Sequence, residues 1–175
     1  GVMAGAVGPQ AHIQPKAQEL SNTLWGLAHF DWHDADVIGV LASALVERIS
    51  RSNSQDCSNT LWALAKLNWF DGGAVSQLAG AAVKRVSSSV PQALSNNLLS
   101  LSSLGWDECA VYDKLLWGLV RSREQPKPQE LSNAILSCAM ASHSGAAVDA
   151  LASMASKQDL SAWEHQHVAT VCMHG

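Results

Sequence analysis

The sequence predicts an all-α protein, an α-solenoid built from antiparallel helical hairpins of 37 residues, with a right-handed superhelix expected. The motif Leu20–Ala28 returns three times, and a fixed period of this size is typical of stacked-repeat proteins. Each period holds two stretches with apolar residues at helical spacing, and no alternating strand pattern appears. The asparagines of the motif, 37 residues apart, are Asn22, Asn59, Asn96 and Asn133.

The copies of the period follow one another without insertion from Gln18. They comprise residues 18–54, 55–91, 92–128 and 129–165, with a fifth copy beginning at 166–175. Residues 1–17 show no clear period and are interpreted as the end of an earlier copy or as a lead-in. One hairpin buries too little surface to fold alone, so we expect a single domain. Because the chain begins with Gly1 and stops within a copy, we expect it to belong to a longer protein.

The first helix of a copy is predicted to run from Gln18 to Phe30, with Leu20, Leu24 and Leu27 on its buried face. Proline is tolerated in a first turn, and two copies carry one there. The helix is predicted to end near a column in which Gly and Asn suit a left-handed residue. That column contains Asp31, Asn68, Gly105 and Ser142.

The second helix is predicted from Ala35 to Ile49, with small residues that allow close helix approach. Basic residues cluster near the ends of the second helices. One hypothesis is that they contact phosphates. The alternative is that they complement the helix dipole and the solvent. The phosphate-contact candidates are Arg48, Lys84, Arg85, Arg121 and Arg123.

Unwrapping the first helix at about 100° per residue leaves one strip opposite Leu24. The strip contains Asn22, Gly26 and His29, while Trp25 and Phe30 lie on opposite flanks where they can contact neighbouring copies. Two hypotheses explain the asparagines: they contact an extended ligand, or Ser-Asn forms a hydrogen-bond ladder between adjacent helices. The equivalent strip residues are Asn59, Ala63, Lys66, Asn96, Ser100, Ser103, Asn133, Ser137 and Met140.

Composition narrows the classes of function. The net charge of −4 counts against a protein that holds nucleic acid by overall charge, although a local basic stripe is still allowed. No apolar run is long enough for a membrane span, so no membrane partner is expected. No phosphate loop, HExxH or GxSxG motif occurs, so we predict neither an enzyme nor a cofactor. No metal site is predicted, because the spacing of His165, His167, Cys172 and His174 matches no zinc pattern.

The pattern QxxSNTLWxLAxxxW, present at Gln18–Trp32 and Gln55–Trp69, resembles the octotricopeptide repeats of organellar RNA-binding proteins. Those repeats are similar to the arrays of FAST-kinase-like proteins. The likeness weakens in the third and fourth copies, where Leu99, Ser102 and His143 depart from the pattern, and the usual period of the family is slightly longer. The resemblance implies single-stranded RNA as partner, with about one nucleotide per copy.

The resemblance further implies a role in the processing, stability or translation of transcripts in a chloroplast or mitochondrion. By this resemblance, the asparagine column and its following neighbours Thr23, Thr60, Asn97 and Ala134 are candidates for RNA contact. The variable column of the strip adds three more candidates. The alternative is a protein-binding scaffold that uses the same surface, which the acidic balance favours. The RNA-binding candidates are Asn22, Thr23, His29, Asn59, Thr60, Lys66, Asn96, Asn97, Ser103 and Asn133.

Overall fold

The computed structural model describes residues 14–158, which form eight α-helices and contain no β-strand. The all-α prediction is therefore confirmed for this part of the chain. Short 3-10 turns, Ile49–Arg51 and Val86–Ser88, follow α2 and α4. The helices are α1 Ala17–His29, α2 Ala35–Val46, α3 Ser54–Lys66, α4 Gly72–Lys84, α5 Pro91–Ser103, α6 Cys109–Val120, α7 Pro128–Met140 and α8 Ala146–Ser156.

At the start of each odd-numbered helix, a backbone N–H group is either hydrogen-bonded to a carboxylate or absent because the residue is proline. Three of them carry an acid in the first turn whose carboxylate accepts the N–H of the residue before the helix, as a capping box requires. Glu19 accepts from Lys16 at 2.9 Å, and Glu130 accepts from Lys127 at 2.7 Å. The fourth, α5, begins at Pro91, whose missing N–H removes a donor that would have no intrahelical partner.

The odd-numbered helices all end in the same way. Gly105 has φ +72°, and the non-glycine residues Asp31, Asn68 and Ser142 have φ between +50° and +56°. After α1, the N–H of Asp31 bonds to the carbonyl of Ala28 and the N–H of Trp32 to that of Leu27, at 3.4 and 3.0 Å. The other three helices repeat this Schellman pair, so the predicted left-handed column is confirmed.

The even-numbered helices end less uniformly. The second helix of the first copy was predicted to reach Ile49, but α2 ends at Val46. The N–H of Arg48 bonds to the carbonyl of Leu45 at 2.8 Å, three residues back. This tightening leads into the 3-10 turn Ile49–Arg51, so the helical hydrogen-bond pattern stops early.

The helices pack in two series. α1 contacts α3, α3 contacts α5 and α5 contacts α7, while α2, α4, α6 and α8 contact one another in order. Each odd-numbered helix also contacts the even-numbered helix that follows it. The odd-numbered series is the more closely packed, and one continuous hydrophobic core runs between the two series. None of the helices described is long and apolar enough to cross a membrane.

The turns after α3 and α7 contact the preceding even-numbered helix. A Cβ on Gly39 of α2 would lie 3.4 Å from the indole of Trp69, so glycine leaves room for that ring. In the last turn the tryptophan is replaced by His143, whose Nε2 lies 3.1 Å from a carboxylate oxygen of Asp113 on α6. Each pair is 30 residues apart in the chain, so a packing contact and a polar contact occupy equivalent places.

Candidate nucleic-acid interface

The serines of the first two Ser-Asn pairs connect adjacent odd-numbered helices. The Ser21 hydroxyl on α1 donates to the carbonyl of Asp56 on α3 at 3.0 Å. The Ser58 hydroxyl on α3 donates to the carbonyl of Ala93 on α5 at 3.4 Å. Ser95 on α5 bonds within its own helix, to the carbonyl of Gln92. The hydrogen-bond ladder between helices therefore runs through serine in the first two copies.

The asparagines of the same pairs have a different environment. Asn22 is exposed, and Asn59, Asn96 and Asn133 are half-buried. Within residues 14–158, none of the four side-chain amides forms a hydrogen bond, whereas the neighbouring serines do so at Ser21 and Ser58. The amides of these asparagines thus take no part in the hydrogen bonds between the described helices, and they are exposed at Asn22 and partly exposed at the other three positions.

The residues after the asparagines lie on the flank opposite the serines. Thr60 is 0% exposed and donates to the carbonyl of Asp56 at 2.7 Å. Asn97 is 1% exposed, and its Oδ1 has no hydrogen-bond partner among the described residues. Thr23 is exposed, and its hydroxyl donates to the carbonyl of Glu19. Because Thr60 and Asn97 are enclosed between helices, they do not reach a ligand on the outer surface.

The structure changes the composition of the outer strip. The column of Gly26 was predicted to lie on it, but Ala63, Ser100 and Ser137 are buried. The preceding odd-numbered helix covers this side, because the odd-numbered helices pack closely. Trp25 was predicted to pack on a flank against a neighbouring copy; its ring centroid lies 6.3 Å from that of Trp62 on the next copy, but 42% of the residue stays exposed. We call the surface formed by the columns of Asn22, Trp25 and His29 the outward strip.

Phe30 was also predicted to pack against a neighbouring copy. It is 85% exposed, whereas Leu67, its equivalent on α3, is only 3% exposed. The difference arises because α3 follows α1, while no described helix precedes α1. Residues 1–13, which precede α1, lie outside the described residues, so packing at Phe30 stays a prediction, while its equivalent Leu67 is buried.

Aromatic and cationic side chains form a continuous run on the outward strip. The ring centroids of Trp25 and His29 are 3.7 Å apart, and those of His29 and Trp62 are 5.1 Å apart. The Lys66 ammonium lies 5.4 Å from the centroid of the Trp62 ring, a cation–π distance. We call Trp25, His29, Trp62 and Lys66 the aromatic run. The spacing Asn-x-x-Trp-x-x-x-His/Lys in the sequence could have predicted the aromatic run, but the tryptophan was predicted to pack between neighbouring copies.

The outward strip changes character after the second copy. Leu99 and Leu136 occupy the tryptophan column, and Ser103 and Met140 occupy the column of His29 and Lys66. Ser103 is exposed, and its hydroxyl donates to the carbonyl of Leu99 at 2.8 Å. Aromatic rings and cations of the strip are therefore concentrated on α1 and α3.

Two of the five phosphate-contact candidates bind backbone instead. The guanidinium of Arg85 donates to the carbonyls of Ile49, Ser52 and Ala81 at 2.7, 2.9 and 2.9 Å. Arg48 donates to the carbonyl of Ala44 and to Gln14 Oε1, and it pairs with a glutamate. Both side chains hold chain connections and helix ends, which supports the structural alternative at these positions.

The other three candidates, Lys84, Arg121 and Arg123, are exposed. Arg121 lies over the ring of Trp117, 4.6 Å from its centroid. Arg121 and Arg123 line a groove of about 750 Å³ between α6 and the connection 86–91, and Asp113 and Glu124 line it too. Lys114 lines the groove as well, so three cations are combined with two acids and the net charge of the lining is small.

The cysteine and histidine side chains of the described residues form no candidate metal site. Cys57 and Cys138 are buried free thiols. Burial raises the pKa of the Cys57 thiol and raises that of Cys138 to about 11, so both stay neutral at physiological pH. No cluster of three potential metal ligands occurs within 14–158. The residues weighed earlier for zinc, between His165 and His174, lie outside the described residues.

Comparison with known proteins adds no assignment. No protein-family model matches this chain, and no curated protein sequence matches it either. The likeness to octotricopeptide repeats therefore depends on the residues of Gln18–Trp32 and Gln55–Trp69 alone.

Proposed function

We propose that this chain binds single-stranded RNA along the outward strip of its odd-numbered helices. The observation that carries the proposal is the division of roles between serine and asparagine in the Ser-Asn pairs of the first two copies. Ser21 and Ser58 bond to the next helix, while Asn22 and Asn59 have no hydrogen bond within the described residues. Asparagine is less favourable than alanine inside a helix by up to about 0.7 kcal/mol. A ligand-binding role accounts for its presence in all four copies.

The proposal includes the arrangement of the helices as a right-handed α-solenoid of 37-residue antiparallel hairpins. Its support is that the odd-numbered helices start at residues 17, 54, 91 and 128, which are 37 residues apart. Each odd-numbered helix contacts the next, and the even-numbered helices form a second series. Repetition of one helix pair brings the four asparagines into one row, as an extended ligand requires.

The chemistry of the row suits nucleobases. A carboxamide offers two donors and one acceptor oxygen, and asparagine pairs with base edges in other nucleic-acid complexes. Helical-repeat proteins bind single-stranded RNA with a few side chains per base. No carboxylate occurs at the twelve positions of the strip on α1, α3, α5 and α7, although the chain has 15 acidic residues. The strip therefore avoids charges that would repel phosphates.

The biological setting follows from the resemblance to octotricopeptide repeats. We propose that the chain acts in the processing, stability or translation of transcripts in a chloroplast or mitochondrion. Four copies contact a site of about four nucleotides, at about one base per repeat.

The test is Asn59→Ala, measured by fluorescence anisotropy with RNA enriched by selection on the wild-type chain. We expect the affinity to fall about tenfold, the loss of one bidentate base contact. The melting temperature should change little, because the Asn59 amide has no hydrogen bond in the described structure. The control is Gln77→Ala, at an exposed position on α4 outside the strip. A marked fall in melting temperature with unchanged RNA affinity would assign Asn59 to stacking and contradict the proposal.

A protein-binding scaffold is the second candidate. The net charge of −4 favours it, and Phe70, in the turn between α3 and α4, is 56% exposed. Phe70→Asp would then abolish capture of a protein partner and leave the RNA affinity unchanged. Loss of RNA affinity in Phe70→Asp, with the fold intact, would argue against a separate protein-binding face.

A further inference from the structure

The aromatic run crosses from one odd-numbered helix to the next. His29 of α1 lies between Trp25 of its own helix and Trp62 of α3, and Lys66 lies beyond Trp62. The centroids of the two indoles are 6.3 Å apart, with an angle of 36° between the rings. The four side chains therefore form one connected surface and not two isolated exposed rings.

Packing between helices does not require these tryptophans. Leu99 and Leu136 occupy the same column on α5 and α7, and those helices pack at least as closely as α1 and α3. A leucine thus serves the structural role, while Trp25 still leaves 42% of its surface exposed. A large aromatic side chain kept at the surface beside a cation is a common feature of sites that bind bases or cations.

The charges distinguish between those two ligands. Lys66 carries a positive charge at the edge of the run, and no carboxylate lies in the strip on either helix. A cationic ligand would meet this ammonium with no acid to neutralise it. An aromatic base attached to a phosphate meets ring faces for stacking and an ammonium for its charge.

We infer that Trp25, His29, Trp62 and Lys66 form a stacking platform for unstacked bases of single-stranded RNA, with Lys66 contacting a phosphate. The inference rests on the proposed function and adds to it a division along the strip. The bases over α1 and α3 are held by stacking, which tolerates any base. Those over α5 and α7 lack a platform and depend on Asn96 and Asn133 for polar contact. Affinity is thus concentrated in the first two copies.

The experiment replaces each tryptophan by the residue that the chain itself uses at that position. Trp25→Leu and Trp62→Leu are measured by fluorescence anisotropy against a labelled single-stranded RNA and against an abasic strand of equal length. Each variant should bind the RNA about tenfold more weakly and the abasic strand unchanged, because stacking needs a base. Lys66→Met, which copies Met140, should weaken both strands and reduce the slope of log affinity against log salt by about one.

Matched controls separate stacking from folding. Trp117→Leu removes a half-buried tryptophan that also pairs with a cation, Arg121, but lies on α6. Its RNA affinity should equal that of the wild type. The reciprocal variant Leu99→Trp/Ser103→Lys builds a second platform at a position whose side chains are already partly or fully exposed, so it should bind RNA more tightly. This gain keeps the inference testable if a tryptophan variant fails to fold, as judged by circular dichroism.

The outcomes separate this inference from the proposed function. If Asn59→Ala weakens RNA binding and the tryptophan variants do not, the platform is overturned and the RNA-binding proposal stands. If the wild-type chain binds no RNA, both are overturned. If parallel selections enrich peptides and no RNA, and Trp62→Leu abolishes that enrichment, the run is a protein-docking surface. Equal weakening towards the abasic strand would also overturn stacking.

Discussion

The helix pairs α1–α3 and α5–α7 share a buried side and differ on the outer side. On the buried side, Leu61 of α3 and Leu98 of α5 are equivalent and fully enclosed. On the outer side, the pair α1–α3 carries the aromatic run, and α5–α7 carries Leu99, Leu136, Ser103 and Met140. The asparagine column is common to both pairs. Packing therefore restricts the buried column of Leu61 and Leu98 to apolar side chains, while the columns of the outward strip are free to differ in chemistry.

We expect the largest effect from leucine-to-alanine substitutions in the core, which test whether the buried sides of the two helix pairs are equivalent. Leu61→Ala and Leu98→Ala each remove a side chain that is 0% exposed. We expect each to lower the free energy of unfolding by about 2–5 kcal/mol, through lost burial and the cavity left behind. Urea denaturation followed by circular dichroism measures both. A cost at Leu98 below half of that at Leu61 would show that the two pairs do not share one kind of core.

A smaller effect concerns the connections. Arg85 holds the connection that follows α2 through the carbonyls of Ile49 and Ser52, whereas Ser122 occupies the equivalent position in the third copy. Arg85→Met keeps an apolar stem and removes the charged donors, so it should destabilise the protein by about 1.5–3 kcal/mol. The adjacent exposed Lys84→Met should change stability by at most about 0.5 kcal/mol. Thermal unfolding compares them, and an equal, small effect of both variants would refute the role of Arg85 as a clamp.

The smallest effect distinguishes the serines of the two helix pairs. Ser58→Ala removes a hydrogen bond to the next helix, at Ala93, and should cost about 1 kcal/mol. Ser95→Ala removes only a bond within α5, to Gln92, and alanine favours the helix, so its net effect should be close to zero. Chemical denaturation of both variants under identical conditions provides the measurement. A larger loss in Ser95→Ala than in Ser58→Ala would contradict the assignment of the inter-helix bond.

Local rules predicted much of the structure correctly. The start of each odd-numbered helix followed from first-turn acids and prolines, and its end from one column of turn-forming residues, of which Asp31 and Asn68 both adopt positive φ. These features depend on hydrogen bonds between residues at most five apart in the chain. The sequence at such short range contains all the information that they need.

The candidate site was predicted only in part. The asparagine column was found from its period; Asn22 is exposed, and Asn59, Asn96 and Asn133 are half-buried. Thr60 and Asn97 were included although they are buried, and Trp62 was omitted although it belongs to the aromatic run. Helical spacing fixes the direction of each side chain around its own helix, but not which directions the neighbouring helices cover. Two residues whose side-chain directions differ by about 60° to 100° around one helix can therefore lie one in the core and the other at the surface, depending on which direction a neighbouring helix covers.

The sequence alone therefore determined the period of 37 residues, the helical character of both halves of each copy and the turns that end the odd-numbered helices. Only the tertiary structure decided that Ser58 bonds to the next helix and leaves Asn59 free of hydrogen bonds within the described residues. It also decided that Trp25, His29 and Trp62 meet across two helices. The physical reason is the separation along the chain of the residues that interact. Caps and turns depend on hydrogen bonds between residues at most five positions apart. Exposure and contacts between helices depend on residues some 35 positions away.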